Sequence, residues 1–205
     1  MVKIIGKASA VILLALFAPG CLAPLSSSFV GRSAGAGRVE LDGGAVSVNG
    51  AIPAFKCAVG LSSAFDLGVQ LESASLGGFA KYSFINNQEQ GFSLAGVVGA
   101  GAVASGSYFY GGPVLSYKAK SVEPYFVARF NVVHYGESDN IFENVSWEAG
   151  TYTYFQFTLG TIFWVTGHIG FNIEGSAFAG DFGLRDFEDF GIPSVIFLAG
   201  VKFRL

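Results

Sequence analysis

The sequence predicts an all-β protein: an antiparallel up-and-down transmembrane β-barrel of ten strands that follows an N-terminal signal segment. Three observations predict it. Apolar and polar residues alternate in one segment after another, the chain is apolar without long apolar runs, and it ends inside a strand. The alternation is clearest in residues 152–163, YTYFQFTLGTIF, where one face carries Phe155, Phe157, Leu159 and Phe163 and the other carries Tyr152, Tyr154, Gln156 and Thr158.

The composition is unusual for a soluble protein. Hydrophobic residues make up 51% of the chain and charged residues only 13%, whereas a soluble protein carries about a quarter charged residues. Beyond the first twenty residues there is no apolar run of the roughly 18 residues that a transmembrane helix needs. Hydrophobicity spread over alternate positions is typical of a membrane β-barrel.

The N-terminus is predicted to be a targeting segment. Residues 1–20 read as a signal peptide, with Lys3 and Lys7 before a short apolar region. Gly20 directly before Cys21 resembles a bacterial lipobox, which implies lipid attachment at Cys21; ordinary cleavage after Ala23 is the alternative. Residues 21–37 are small and polar and are predicted to be a flexible tether before a barrel over residues 38–205.

The barrel region divides into ten candidate strands with alternating faces, which lie over residues 38–46, 52–61, 65–72, 79–85, 90–103, 107–118, 122–135, 152–163, 168–175 and 195–205. Turns after even strands should be short and loops after odd strands longer. Residues 136–150 and 176–194 are long and acidic and fall after odd strands. The count of ten is therefore consistent, and eight is the alternative if the first strand is absent.

A soluble β-sandwich or lipocalin-like barrel would bury the apolar face instead. The polar face has few lysines and many Gly, Ser and Tyr residues, which would make a poor water-exposed surface. The strands of about ten residues also have the length that a tilted strand needs to cross a bilayer. Both observations favour the membrane barrel.

Two short motifs carry a family resemblance. The ending VKFRL resembles the C-terminal assembly signal of bacterial outer-membrane barrels, although it closes on Leu205 where Phe is commonest. The pair AFDLGVQL and GGFAKYSF, at 64–71 and 77–84, resembles a recurrent hairpin of the same proteins. The chain thus resembles small bacterial outer-membrane β-barrel proteins with a lipoprotein-type signal peptide.

That resemblance implies a bacterial outer-membrane location. It implies outer-membrane lipid, lipopolysaccharide and the barrel-assembly machinery as partners, and it implies no activity and no cofactor. Without Lys3 and Lys7, the 15 acidic residues outnumber the basic ones. This balance argues against a nucleic-acid partner.

The polar faces predict a lumen of mixed charge. Its candidate residues are Arg38, Glu40, Asp42, Lys56, Asp66, Gln70, Glu72, Lys81, Arg129, Asn131, Tyr152, Tyr154, Gln156, Asn172 and Glu174. We expect a polar network there that includes Asp66, Glu72, Lys81, Arg129, Asn131, Gln156 and Glu174. In so narrow a barrel, inward charges should pair into a plug rather than line an open channel. The expected role is structural, adhesive or small-solute, with a narrow pore as the alternative.

Catalytic and metal sites have weaker support. His134, Glu137 and Ser138 lie at the predicted rim, but their spacing does not match that of a membrane-embedded lipid hydrolase, so no catalytic residue is assigned. His168 has no nearby partner that would suggest a metal site. The acidic loops suit either divalent cations at the lipopolysaccharide surface, a basic partner or simple solvation, and we favour solvation.

Overall fold

The structure is a computed structural model that describes residues 24–47, 50–72, 75–103, 106–136, 149–180 and 195–205. Its strands are β1 Val39–Ser47, β2 Ala51–Gly60, β3 Phe65–Glu72, β4 Ser75–Ile85, β5 Gly91–Val103, β6 Gly106–Lys118, β7 Val122–Tyr135, β8 Gly150–Trp164, β9 Ile169–Ala179 and β10 Val195–Arg204. Each strand pairs with its sequence neighbours, and β1 pairs with β10 to close the barrel. The predicted ten-stranded antiparallel barrel is confirmed.

The barrel has two unlike ends. We call the end that carries the start of β1, the end of β10 and the connections 61–64, 86–90, 119–121 and 165–168 the turn end. The opposite end, which we call the loop end, carries the long connections 136–149 and 180–194. Three further loop-end connections, 48–50, 73–74 and 104–105, are short. The predicted contrast between the ends therefore depends on two loops only.

Alternate residues of each strand face the lumen and the outside. In the β7–β8 ladder, Arg129 pairs with Gln156 and the next pair is Ala128 with Phe157. Arg129 and Gln156 are fully buried, whereas 41% of Phe157 is exposed. Since the strand period is two, each ladder separates a polar inner face from an apolar outer face.

In the glycine-rich strands β4 and β5, glycines lie where tyrosines of β6 fill the lumen. In β5, Gly99 lies beneath the inward ring of Tyr110, and a Cβ there would come within 2.3 Å of the ring. On β4, a Cβ on Gly77 would lie 2.1 Å from the Tyr108 hydroxyl. These glycines make room for inward tyrosines. The strand β4 begins at Ser75, whereas the sequence predicted a start at residue 79. Gly77 and Gly78 therefore belong to the strand and not to a turn.

The N-terminal residues differ most from expectation. Residues 24–34, which we call the lumen segment, are buried inside the barrel and not exposed as the flexible tether that was predicted over 21–37. In the described part of that range, only Gly35 to Gly37 emerge toward solvent, at the turn end. The segment stays inside because side chains of the barrel wall hydrogen-bond its backbone along its whole length.

No helix among the described residues is long and apolar enough to cross a membrane.

Candidate functional site in the barrel lumen

Three wall carboxylates bind backbone amides of the lumen segment, and two of them bind four successive amides. Glu72, the last residue of β3, accepts from the amides of Leu25 at 2.8 Å and Ser26 at 2.9 Å. Glu174 on β9 accepts from the next two amides, those of Ser27 at 2.8 Å and Ser28 at 2.7 Å. Each carboxylate thus uses both of its oxygens on two neighbouring donors, which are charge-assisted hydrogen bonds.

The third carboxylate, Asp66, lies near the turn end on β3. It accepts from the Ser33 hydroxyl at 2.6 Å and, with both oxygens, from the Ala34 amide at 3.1 Å. Lys81 lies 3.1 Å from the same carboxylate. Asp66 therefore joins the wall to the C-terminal end of the segment.

Wall cations bind the carbonyls of the same segment. Lys81 donates to the carbonyls of Val30 at 3.1 Å and Arg32 at 2.7 Å, and Lys202 donates to that of Ser28 at 2.9 Å. A further set of donors reaches the remaining carbonyls: Lys56 bonds that of Ser27, Arg129 those of Pro24 and Ser26, and Gln156 that of Leu25. The wall side chains do what a neighbouring strand would do for this extended chain.

Arg32 is the one charged residue within the lumen segment. Its Nε donates to Glu123 Oε1 at 2.7 Å and its Nη2 to Glu123 Oε2 at 2.9 Å, and both side chains are completely buried. Trp164 Nε1 also donates to this carboxylate at 2.9 Å. The guanidinium lies 5.2 Å from the centre of the Trp164 ring, within cation–π range.

The lumen charges balance when Arg32 is included. Among the described residues the buried anions are Glu40, Asp42, Asp66, Glu72, Glu123 and Glu174. The buried cations are Arg32, Lys56, Lys81, Arg129, Lys202 and Arg204. The strands alone supply one cation fewer than they supply anions, and the lumen segment supplies the missing one. Buried charges need partners, so the wall and the segment are electrostatically complementary.

Apolar contacts fix the two halves of the segment. The Phe29 ring meets the inward Phe79 ring of β4 edge to face at a centroid distance of 5.0 Å. Leu25 packs with Val46, Ile196 and Leu198 near the loop end. Two residues beyond Phe29, a Cβ on Gly31 would lie 2.5 Å from the Ser93 carbonyl oxygen, so the segment passes close to β5 at a position that only glycine fits.

The predicted lumen network can be placed residue by residue. Asp66, Glu72, Lys81, Arg129, Asn131, Gln156 and Glu174 are all buried in the lumen. Six of them contact the lumen segment, and Asn131 instead donates to the carbonyls of Arg129 and Tyr154 at 3.4 Å. Arg38 was predicted to face the lumen but is exposed, because it follows the segment's exit at the turn end.

Sequence reasoning missed Arg32 and Glu123 as partners, together with the segment itself. Arg32 was assigned to the tether, where no strand pattern applies. The available signal was the excess of inward acids on the strands, which requires a cation from elsewhere in the chain.

Little empty space remains in the lumen. A cavity lined by Phe29, Asp42, Lys56 and Lys202, among others, has a volume of about 20 Å³, which is room for a single water molecule. A second, between Ser26, Ser28 and Leu198, admits none. The described part of the lumen is packed as a protein interior rather than as a channel.

Several predicted features lie elsewhere. His134 is on the outer face and shares a hydrogen bond with the Thr151 hydroxyl at 3.0 Å. Cys21, Glu137, Ser138 and most of the two acidic loops lie outside the described residues. Within the described ranges, no group of three or more His, Cys, Asp and Glu residues is arranged to hold a metal ion.

Solved barrels resemble this chain in fold. The NanC porin aligns with a TM-score of 0.53 and 10% identity, over 82% of this chain and 100% of that one. The N-terminal β-barrel domain of Pseudomonas aeruginosa OprF aligns with a TM-score of 0.44 and 11% identity, over 83% of this chain and 99% of that one. No protein-family model and no curated protein sequence matches the chain. At this identity the likeness to NanC shows the fold alone.

Proposed function

We propose that this chain is a bacterial outer-membrane β-barrel with a structural role, whose lumen is closed by its own N-terminal segment. The observation that carries the proposal is the set of bonds from Asp66, Glu72 and Glu174 to the backbone of residues 24–34. Through these bonds, the segment that fills the lumen is held as part of the folded barrel.

The outer face supports a membrane location. Its exposed side chains are mostly Phe, Leu, Val and Ile. Seven outward aromatic residues lie within three positions of the turn end of their strands: Tyr82, Phe84, Phe92, Tyr117, Phe163, Phe171 and Phe203. A girdle of aromatic residues around one end is typical of the membrane–water boundary of barrels. Outer-membrane lipid is therefore the partner that we assign to this face.

The lumen supports a closed barrel over an open pore. To open a path, the segment would have to leave Glu72, Glu174 and Arg129 without the backbone groups that they bind. An unpaired buried charge is costly, which favours the occupied state. Among the described residues, the cavity beside Lys56 and Lys202 has room for about one water molecule, which also favours the occupied state.

Fractionation tests the location. We expect the full chain, expressed with its leader in a Gram-negative host, to enter the outer-membrane fraction and to require detergent for extraction. Folded barrel should migrate differently on gels before and after heating. Recovery in the aqueous phase without detergent would favour the soluble lipocalin-like alternative and overturn the proposal.

Planar bilayers test the closure. The purified full-length barrel should give no stepwise conductance under an applied potential. Regular steps from the wild-type protein would show a narrow pore and would reject a closed lumen. An open porin inserted in the same bilayer is the positive control, since it shows that insertion is being detected.

A further inference from the structure

The lumen segment runs in one direction along the whole barrel. Near the turn end, the Ser33 amide donates to Asn86 Oδ1 at 3.0 Å in the β4–β5 connection. Arg32 then meets Glu123, the second residue of β7 from the same end. From Ser33 toward Leu25, the wall residues that contact the segment lie progressively farther from the turn end.

The other half of the segment reaches the opposite end. Ser27 and Ser28 bind Glu174 in the middle of β9. Leu25 binds Glu72 at the loop end of β3 and packs against Ile196, the second residue of β10 from that end. Residues 24–34 therefore run from the turn end to the loop end of the short strands β3 and β10. On the longer strands β7 and β8, the contacts with Arg129 and Gln156 lie midway along the strand.

Several hydrogen bonds hold the N-terminal end of the lumen segment. Glu72 is held by the amides of Leu25 and Ser26, so the loop-end contact uses two separate bonds. Pro24 itself is buried, with its carbonyl bound by Arg129. Pro24, the first described residue, therefore lies farther from the turn end than Ser33 and Arg32 do.

We propose that the lumen segment is an additional membrane crossing that carries the N-terminal end of the mature chain to the face opposite the turns. This inference rests on the proposed outer-membrane location. Because the long loops of such barrels face outward, groups attached just upstream of Pro24 are presented at the cell surface. The start of β1 and the end of β10 lie at the turn end, which faces the periplasm in this arrangement.

Epitope accessibility in intact cells tests the crossing. One epitope is inserted between Ala23 and Pro24, where it survives either mode of leader processing, and a control epitope between Ser62 and Ser63 in an exposed turn. We expect antibody to bind the first epitope on intact cells and the second only after the outer membrane is permeabilised. A periplasmic marker protein verifies that the cells are intact.

The outcomes separate the two proposals. If both epitopes behave alike on intact cells, the segment does not cross; if only the turn epitope is bound, the N-terminus is not at the surface. Either result overturns the inference while leaving the barrel in the outer-membrane fraction. Absence of both proteins from that fraction would instead reject the proposed location.

A smaller perturbation keeps the test decisive if an inserted epitope prevents folding. A single cysteine inserted between Ala23 and Pro24, and Ser63→Cys, each in a Cys57→Ala background, are labelled with a membrane-impermeant maleimide, and the background alone is the blank. We expect at least tenfold more labelling of the inserted cysteine than of Ser63→Cys on intact cells. Equal labelling of the two, or the reverse order, contradicts the crossing.

Discussion

Arg32 and Glu123 form a two-pronged ion pair between the lumen segment and β7, with N–O distances of 2.7 and 2.9 Å and no exposure of either side chain. The pair links residues 91 positions apart in the chain. It binds the segment at the turn end, where the segment joins β1.

Arg32→Ala should destabilise the barrel strongly. It leaves the Glu123 carboxylate buried with only the Trp164 donor, and breaking a buried pair on one side costs about 3–5 kcal/mol. The measurement is the free energy of unfolding in urea with lipid vesicles or detergent. Arg38→Ala is the matched control, because Arg38 is exposed just beyond the segment, and it should change stability by less than about 0.5 kcal/mol. Equal effects of the two substitutions would contradict the assigned role.

A double substitution isolates the pair from general damage. Arg32→Met with Glu123→Gln removes both charges and keeps similar volumes. The double variant should lose less stability than the sum of the two single variants, with a coupling of about 1–3 kcal/mol. Simple additivity would show that the two side chains do not interact in the folded barrel.

Ser28→Pro should loosen the lumen segment. Ser28 has a φ of 35°, whereas proline is fixed near −65°, and the substitution also removes the amide that donates to Glu174 at 2.7 Å. We expect faster hydrogen exchange in residues 24–34 and the appearance of conductance steps in planar bilayers. Ser28→Ala, which keeps the amide, is the control and should stay silent. A silent, fully protected Ser28→Pro barrel would show that this bond does not hold the segment.

Gly160→Ala should disturb the lumen from the wall. A Cβ on Gly160 would lie 2.2 Å from the Tyr125 ring, whose hydroxyl donates to Glu174 at 2.7 Å. Displacing that ring should cost about 1–3 kcal/mol of stability. Gly78→Ala on the outer face is the control, since its nearest neighbour would be 3.6 Å away. Chemical denaturation of both variants gives the comparison, and an unaffected Gly160→Ala barrel would refute the close packing.

A disulfide should trap the segment in place. The hydroxyl oxygens of Ser27 and Thr158 are 3.0 Å apart, so Ser27→Cys with Thr158→Cys should form a bond on oxidation. After protease cleavage at a site inserted between Ala36 and Gly37, the N-terminal fragment should stay attached on a non-reducing gel. Ser27→Cys with Phe157→Cys should not, because Phe157 faces outward. Release of the fragment from the oxidised first variant would argue against the threaded arrangement.

The barrel wall could be predicted because its signal is local. The parity of Gln156 and Phe157 assigns one to each face, and both lie where the alternation placed them. Strand number followed from the same repeated pattern. Boundaries were less certain where glycines replaced side chains, as at Gly77, since their role depends on a tyrosine in β6.

The lumen segment could not be predicted in the same way. Its small, polar residues have the composition of a linker, and its order comes from partners such as Glu174, 147 positions from Ser27. Contacts between residues so far apart in the chain leave no alternating pattern in the local sequence. Alternation placed Arg38 in the lumen because it directly precedes the first strand, whereas the buried arginine is Arg32, which pairs with Glu123.

The burial of Phe29 and Arg32 makes the lumen segment part of the barrel interior. Phe29 lines a cavity of about 20 Å³, so with the segment in place there is room beside it for about one water molecule. Loss of residues 24–34 would leave Glu72, Glu123 and Glu174 without the groups that they bind inside the barrel. The segment thus serves the strands as a hydrogen-bonded core.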